Sequence, residues 1–512
     1  MPTLRDRASG VLLHVTSLPG PHGNGDLGAE AHAFAELLAR SGQRWWQMLP
    51  VGPAGYGDSP YSSLSAFAGN PLLVDLDALG VPIDAARFSD DTVDYAASSS
   101  FREKHLRRAF QAEASRPARE RSGYRAFVER EASWLDDFAL FTALKRAHDG
   151  VEWTRWEHGV RKRVPAALER AKKQHADEIS LAKFVQWKFN QQWHELRARC
   201  TQLGVGLIGD LPIFVAHDSA DVWQHPELWK LDENGVSTAV AGVPPDYFSK
   251  TGQRWGNPLY RWARLEKSGY AWWVDRVRAS LERFDAVRLD HFIGFTRYWE
   301  VPADEPTAMN GRWLKGPGRG LFEAMKKGLD ATSLPFIAED LGAVTPAVTR
   351  LRKALGLPGM KIVQFAFGSD AQAEGFLPHN HSVRSAVYTG THDNDTVAAW
   401  FHDPGGSATS ERSADQANEE RRAALAYMGR TSADVERGLE IHWEMIRLAM
   451  ASVARTAIVP AQDVLGLGNE ARMNRPGQAG GNWRWRLAPG AVTPAIEARL
   501  LAFARTYGRA PS

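Results

Sequence analysis

Four acids in this chain close short apolar runs: Asp210 in GLIGDLPIF, Asp290 in VRLDHF, Glu339 in FIAEDLG and Asp393 in YTGTHDNDT. A lone acid at a strand end commonly caps a helix or forms a turn. Four that converge on one pocket are hard to explain that way. Paired carboxylates with an Arg, a His and aromatic surfaces, and with no phosphate-binding glycine loop, suit glycoside chemistry. In a retaining mechanism one carboxylate attacks the anomeric carbon, while a second, roughly 5 to 5.5 Å away, protonates the leaving oxygen and later deprotonates the acceptor. A further acid near the sugar hydroxyls can stabilise the oxocarbenium-like transition state.

Local spacing refines this in two places. Arg288 and Asp290 are two residues apart and share a strand face, so the guanidinium can hold that carboxylate ionised and oriented, as a nucleophile requires. Glu339 and Asp340 are adjacent and point to opposite faces, so one of them looks into the pocket, and spacing does not say which. A metal site is the rival reading, because Asp210, Asp290, His291, Glu339, His392 and Asp393 could supply its ligands. No H-E-x-x-H motif occurs, and the Arg288 guanidinium opposes a cation beside Asp290.

Converging these acids requires a frame, and the chain offers one. Eight β-branched or aromatic runs bounded by Gly, Pro or Asp read as buried strands: residues 10–15, 44–49, 206–210, 286–290, 336–339, 361–365, 386–389 and 457–462. Helical periodicity fills most intervals, as at 31–40, 270–282 and 345–354, the last opening with Thr345 as N-cap and Pro346 at the first helical position. The pattern predicts an α/β fold, a (β/α)₈ TIM barrel, whose strand C-termini share one face. The frame is one catalytic domain over 1–512 carrying inserted subdomains. Residues 87–199 read as a mainly helical insertion, 219–262 as an aromatic-rich lid or loop insertion, and 298–334 as a smaller one of similar irregular character. The loop at 403–418 reads as the most mobile surface segment.

Composition sets the outer bounds. The 512 residues carry 62 Lys and Arg against 60 Asp and Glu, a net charge of +2 that gives no field for gripping phosphates, so nucleic acid is not an expected partner. No run approaches the roughly 18 apolar residues of a membrane span. Cys200 is the single cysteine, and Arg5 and Arg7 precede an apolar run that His14 interrupts, too short for a signal peptide; both point to the cytoplasm. Nineteen Trp residues offer flat faces that suit sugar rings, although most are expected to fill the core.

The motifs RLDH (288–291), IAEDLG (337–342) and GTHDNDT (390–396) closely resemble those of the 4-α-glucanotransferases called amylomaltases or disproportionating enzymes, relatives of the α-amylases. GDSPYSSLSAFAGNP (57–71), GDLPIFV (209–215), DSADVW (218–223), GVPPDYFSKTGQRWGNPLY (242–260), PAQDVLGLG (460–468) and NRPG (474–477) are similar to the same family. The likeness reaches both ends of the chain and weakens only across about 87–199.

That resemblance implies transfer of an α-1,4-glucan segment to a new 4-hydroxyl, with maltooligosaccharides and amylose as substrates and no metal or organic cofactor. It implies Asp290 as nucleophile, forming a covalent glucosyl intermediate, Glu339 as acid/base and Asp393 as transition-state stabiliser. Arg288 and His392 would flank the reacting sugar, with Asp210 on its hydroxyls and Tyr61 near the acceptor side. Tyr247 and Phe248 would belong to a lid, Trp255 would lie beyond it, Phe365 would line the cleft, and His291 joins the substrate contacts. For some residues a structural role stays open: Tyr61 could pin its loop, Tyr247 and Phe248 could pack a lid onto the barrel, and Asp210 could tie its strand to a neighbour. Whether the acceptor is sugar or water is not set by spacing.

Overall fold

A computed structural model of the chain describes all residues except 116–121, 246–249, 407–411, 479 and 512. Twelve strands occur among the described residues: β1 Ala8–Leu12, β2 Trp45–Gln47, β3 Gly206–Leu211, β4 Ala239–Val243, β5 Gln253–Pro258, β6 Ala286–Leu289, β7 Arg297–Pro302, β8 Arg312–Lys315, β9 Phe336–Ala338, β10 Gly359–Ile362, β11 Ser385–Tyr388 and β12 Thr456–Pro460. Eight of them, β1, β2, β3, β6, β9, β10, β11 and β12, pair in parallel in chain order and close when β12 meets β1, Ala8 opposite Thr456 through Leu12 opposite Pro460. Each of the eight expected runs holds one of these strands, displaced by up to three residues at an end. The fold is the expected (β/α)₈ barrel.

Nearly every barrel-strand residue is buried, which is why the runs are continuously apolar rather than alternating. The backbones come close. A Cβ at Gly10 in β1 would lie 2.2 Å from the Trp45 carbonyl oxygen, so only glycine fits there. The predicted helices appear as Ala29–Arg40, Ala271–Arg283 and Pro346–Leu355. Pro346 starts the third as foreseen, but the Thr345 side chain makes no capping hydrogen bond. Eight of the largest fully buried side chains are Trp, so tryptophan here is mainly core.

Between β2 and β3 the described residues form six α-helices, Tyr95–Ala114, Ser122–Arg130, Ala132–Ala147, His158–Arg161, Pro165–Gln174 and Ala176–Leu203, besides short 3-10 turns. The last is 28 residues long, about 42 Å at 1.5 Å per residue. Its C-terminal half belongs to the barrel wall: Trp193 Nε1 donates to the Arg283 carbonyl (3.1 Å) and Arg199 to Glu36 (2.7 Å). One element thus ties the helical segment to the frame.

The segments after β3 and β6, read from sequence as two separate irregular regions, join instead. β4 pairs antiparallel with both β5 and β7, and β7 with β8, giving one four-stranded sheet in the order β5-β4-β7-β8. Short strands interrupted by Gly and Pro carry little periodic signal, and pairing between distant segments carries none. The sheet meets the barrel mouth where the Trp255 ring stands edge-on to His291 (centroids 4.8 Å) and beside Phe214 (6.4 Å).

Candidate active site

β3, β6 and β9 are neighbours in the barrel, and their register brings three acids to one place. Asp210 lies opposite Arg288, and Leu289 opposite Ala338. The ladder runs on past the strand ends: Asp290 N–H donates to the Leu211 carbonyl (3.1 Å), and Glu339 N–H to that of Leu289 (3.0 Å). Main-chain bonds therefore fix Asp290 and Glu339 before any side chain acts.

Arg288 sits at the centre. Its Nε donates to Asp210 Oδ2 (2.8 Å), and its Nη2 donates to Asp290 Oδ1 (2.9 Å) and to the Tyr61 hydroxyl oxygen (3.1 Å). Burial alone would lower the guanidinium pKa, but the paired carboxylates of Asp210 and Asp290 outweigh it and hold Arg288 firmly protonated. The Tyr61 O–H donates to Asp210 Oδ2 (2.8 Å) and its oxygen lies 2.9 Å from His392 Nε2. Burial, then the Asp210 charge, raise the phenol well above its usual value. A phenol has one proton, so if Asp210 receives it, His392 Nε2 must carry the hydrogen toward the phenol oxygen. The two rings also stack, centroids 5.3 Å apart at 19°. Asp210 is raised by burial, with Arg288 opposing. Its other oxygen, Oδ1, is buried with no hydrogen-bond partner among the described residues. A buried carboxylate oxygen in that position calls for a partner from a ligand or water.

Glu339 and Asp340, which spacing leaves undecided, diverge. Asp340 accepts from the Met360 N–H (2.9 Å) and pairs with Arg352 (2.8 Å), anchoring β10 and the helix Pro346–Leu355. Glu339 turns to the cleft, accepting the His291 N–H at Oε2 (2.7 Å) and the Leu341 N–H at Oε1 (3.2 Å). Burial and then the Asp290 charge push its carboxyl well above the ordinary range, only partly offset by Arg288 and the His291 N–H. A carboxyl so raised keeps its proton to higher pH than an ordinary glutamate and is suited to donate it. His291 is in the left-handed region, φ 48°, which turns its N–H back to Glu339. Burial lowers its imidazole to about 4, so it is neutral.

Asp393 follows β11 in the loop 390–396. Its Oδ2 lies 3.3 Å from His392 Nε2, and its Oδ1 accepts from Asn474 Nδ2 (2.6 Å). Arg472 donates to the Asp393 carbonyl (2.5 Å) and to Asp395 Oδ1 (2.5 Å). Trp255 stands over His291 as described, 37% exposed. Phe365 lies on the turn Val363–Phe367, its ring edge-on to Phe376 (5.6 Å), outside the hydrogen-bonded cluster. Tyr247 and Phe248 lie outside the described residues, as does part of the 403–418 loop. Among the described residues no three His, Cys, Asp or Glu side chains converge in a way that would hold a metal ion.

The family model described as 4-alpha-glucanotransferase matches residues 13–493 of the chain. The chain belongs to this family. Its similarity to the 4-alpha-glucanotransferase of Thermus thermophilus is 51% identity over 98% of this chain and 99% of the relative, and to that of Synechocystis sp. 44% over 99% of each. Among solved structures, the amylomaltase from Streptococcus agalactiae in complex with acarbose superposes with a TM-score of 0.90 at 35% identity, over 99% of this chain and 100% of that one. The amylomaltase from Corynebacterium glutamicum, at 20% identity over 98% of this chain and 75% of that one, gives a TM-score of 0.80 and shows the shared fold.

Within this transferase family the chain shows site residues that sequence reasoning did not single out. Asn474, Arg472 and Trp483 reach the acids from the far end of the chain, Trp483 with its ring 5.7 Å from Tyr61 and 5.9 Å from His392. Asp463 brackets the loop 390–396: one oxygen accepts from the Thr389 hydroxyl (2.5 Å), the other from the Val397 N–H (2.7 Å). The motifs PAQDVLGLG and NRPG were visible as strings, but nothing local to them tells which residue they touch.

Proposed function

We propose that this protein is a 4-α-glucanotransferase acting by retaining double displacement through a glucosyl ester on Asp290. Family membership and end-to-end relatives support the activity, and the acarbose complex of the Streptococcus agalactiae relative supports a glucan-like occupant. The site chemistry supports the route. Asp290, oriented by Arg288, attacks C1 of a glucosyl residue while Glu339 gives its proton to the departing O4. The reducing-end fragment leaves with a free 4-hydroxyl, and the rest of the glucan stays esterified to Asp290. An acceptor 4-hydroxyl then yields its proton to the Glu339 carboxylate as its oxygen attacks C1. The ester breaks, Asp290 is restored and a new α-1,4 bond forms, two inversions giving retention.

The observation that carries this reading is the unequal treatment of two neighbouring acids: Asp290 is ion-paired with Arg288, whereas Glu339 is raised by burial and by Asp290. Environments that separate two carboxyls in this way assign the proton to one and the attack to the other. Asp393 would face the positive charge developing at C1, with Asp210, Tyr61, Arg288 and His392 on the hydroxyls of the same sugar. Trp255 and the segment carrying Tyr247 and Phe248 would favour a sugar acceptor over water, and Phe365 and His291 would line the cleft.

Maltotriose tests the proposal. Transfer yields longer oligomers together with glucose, resolved by chain length, whereas shortening alone would mark a hydrolase. Asp290→Asn should lower turnover by about 10⁴-fold or more while still binding glucan; undiminished product from that variant would remove Asp290 as nucleophile.

A further inference from the structure

We propose that Asn474 is a positioning residue for Asp393, a role that rests on the transition-state function given to Asp393 above. Asp393 is more exposed than Asp290, its side chain 43% accessible against 29%, and it stands in a loop beyond the strand ladder. Something other than the barrel must aim it. Its Oδ1 accepts from the Asn474 amide at 2.6 Å, across 81 residues of chain.

Asn474 is itself held from several sides. Its N–H donates to the His392 carbonyl (3.0 Å), and its carbonyl accepts from Arg472 Nε (2.8 Å). Arg472 in turn binds the Asp393 carbonyl, so the main chain at 392–393 and at 474 form one closed set of bonds with the amide-to-carboxylate contact inside it. The choice of side chain fits the chemistry. A Lys or Arg at this point would also orient Asp393, but would cancel part of the negative charge meant for the oxocarbenium-like transition state. A neutral amide fixes the direction of the carboxylate and leaves its charge in place. Asn474 thus touches no reacting atom and acts through Asp393.

The isosteric change Asn474→Asp separates positioning from packing, since it keeps the volume and replaces the donor by a like charge. In maltotriose transfer, Asn474→Ala should lower kcat by about 10-fold, the worth of one hydrogen bond to a charged group. Asn474→Asp should lower it further, by about 10²-fold or more, because two carboxylates then face each other. KM and the melting temperature should stay near those of the wild type in both. A greater loss in Asn474→Ala than in Asn474→Asp would show that packing is what matters and overturn the proposal, as would wild-type kcat in Asn474→Asp. If Asn474→Asp does not fold, the Asp393→Asn background carries the test: adding Asn474→Ala there should cost nothing more, and a full additional loss would refute the contact. Wild-type turnover in Asp393→Asn alone would refute the role of Asp393 itself, and that result is distinguishable from the failure of Asn474 to support it.

Discussion

Asp290 and Glu339 stand where β6 and β9 end, each fixed by a main-chain bond to the neighbouring strand and oriented by groups within two residues of Asp290: Arg288 for Asp290, the His291 N–H for Glu339. His392 and Asp393 stand in the loop 390–396, and much of what holds that loop comes from a distant stretch of chain: Asp463 at its two ends, Asn469 and Arg472 on Asp395, Arg472 and Asn474 on Asp393. One half of the site is set by the barrel's register and the other by side chains that arrive after its last strand. The barrel register therefore places Asp290 and Glu339, the proposed nucleophile and acid. The placing of Asp393, the proposed transition-state stabiliser, depends on the C-terminal segment.

The sharpest break in the barrel-set half is Glu339→Gln. It keeps the shape and removes the transferable proton, so kcat on maltotriose should fall by about 10³-fold, within the range of lost acid/base catalysis. The pH profile reports the same group. As the proposed acid, Glu339 would have to be protonated to start the reaction, so kcat/KM should decline as pH rises through its elevated pKa, at a pH above the usual glutamate range. A decline centred near 4.5 would contradict this.

Arg472→Ala breaks the other half. It frees the Asp393 carbonyl and Asp395 together, and displacement of the loop by about 1 Å should cost about 10²-fold in kcat, with the barrel still folded by circular dichroism. Loss of folding would show that the two halves are not separable.

The smallest effect sharpens the comparison. Burial raises Asp463 from 3.8 to about 6, against hydrogen bonds from Thr389 and Val397. A raised folded-state pKa gives stability that is full below the unfolded value and lost as pH rises through about 6. In Asp463→Asn that loss is absent. The wild type should lose more melting temperature than the variant between pH 4.5 and 7.5, and parallel curves would show that Asp463 does not titrate there.

The same division governs what the sequence makes legible. Strand ends are local, so the eight barrel strands and the acids at 210, 290, 339 and 393 can be read from apolar runs bounded by turn formers. Choosing Glu339 over Asp340 requires the register of β9 against its neighbours, which alternation alone does not supply. Asn474 and Arg472 are further out of reach, because a contact between a loop at 393 and one at 474 leaves no periodic trace in either. The β4–β7 pairing is hidden for the same reason: each strand is about five residues of unremarkable composition, and only the partner makes it a strand.

That pairing has a mechanical consequence. The chain leaves the barrel after β3 and again after β6, and β4 and β7 then share a ladder from Ala239 opposite Pro302 to Gly242 opposite Trp299. The two excursions are thus stitched into one plate fastened to the rim at two points. The loop after β3 cannot swing without shearing that seam or taking with it the loop that begins at Asp290 and His291. A displacement of β4 or β5 is thereby passed through β7 to the stretch that begins at Asp290 and His291.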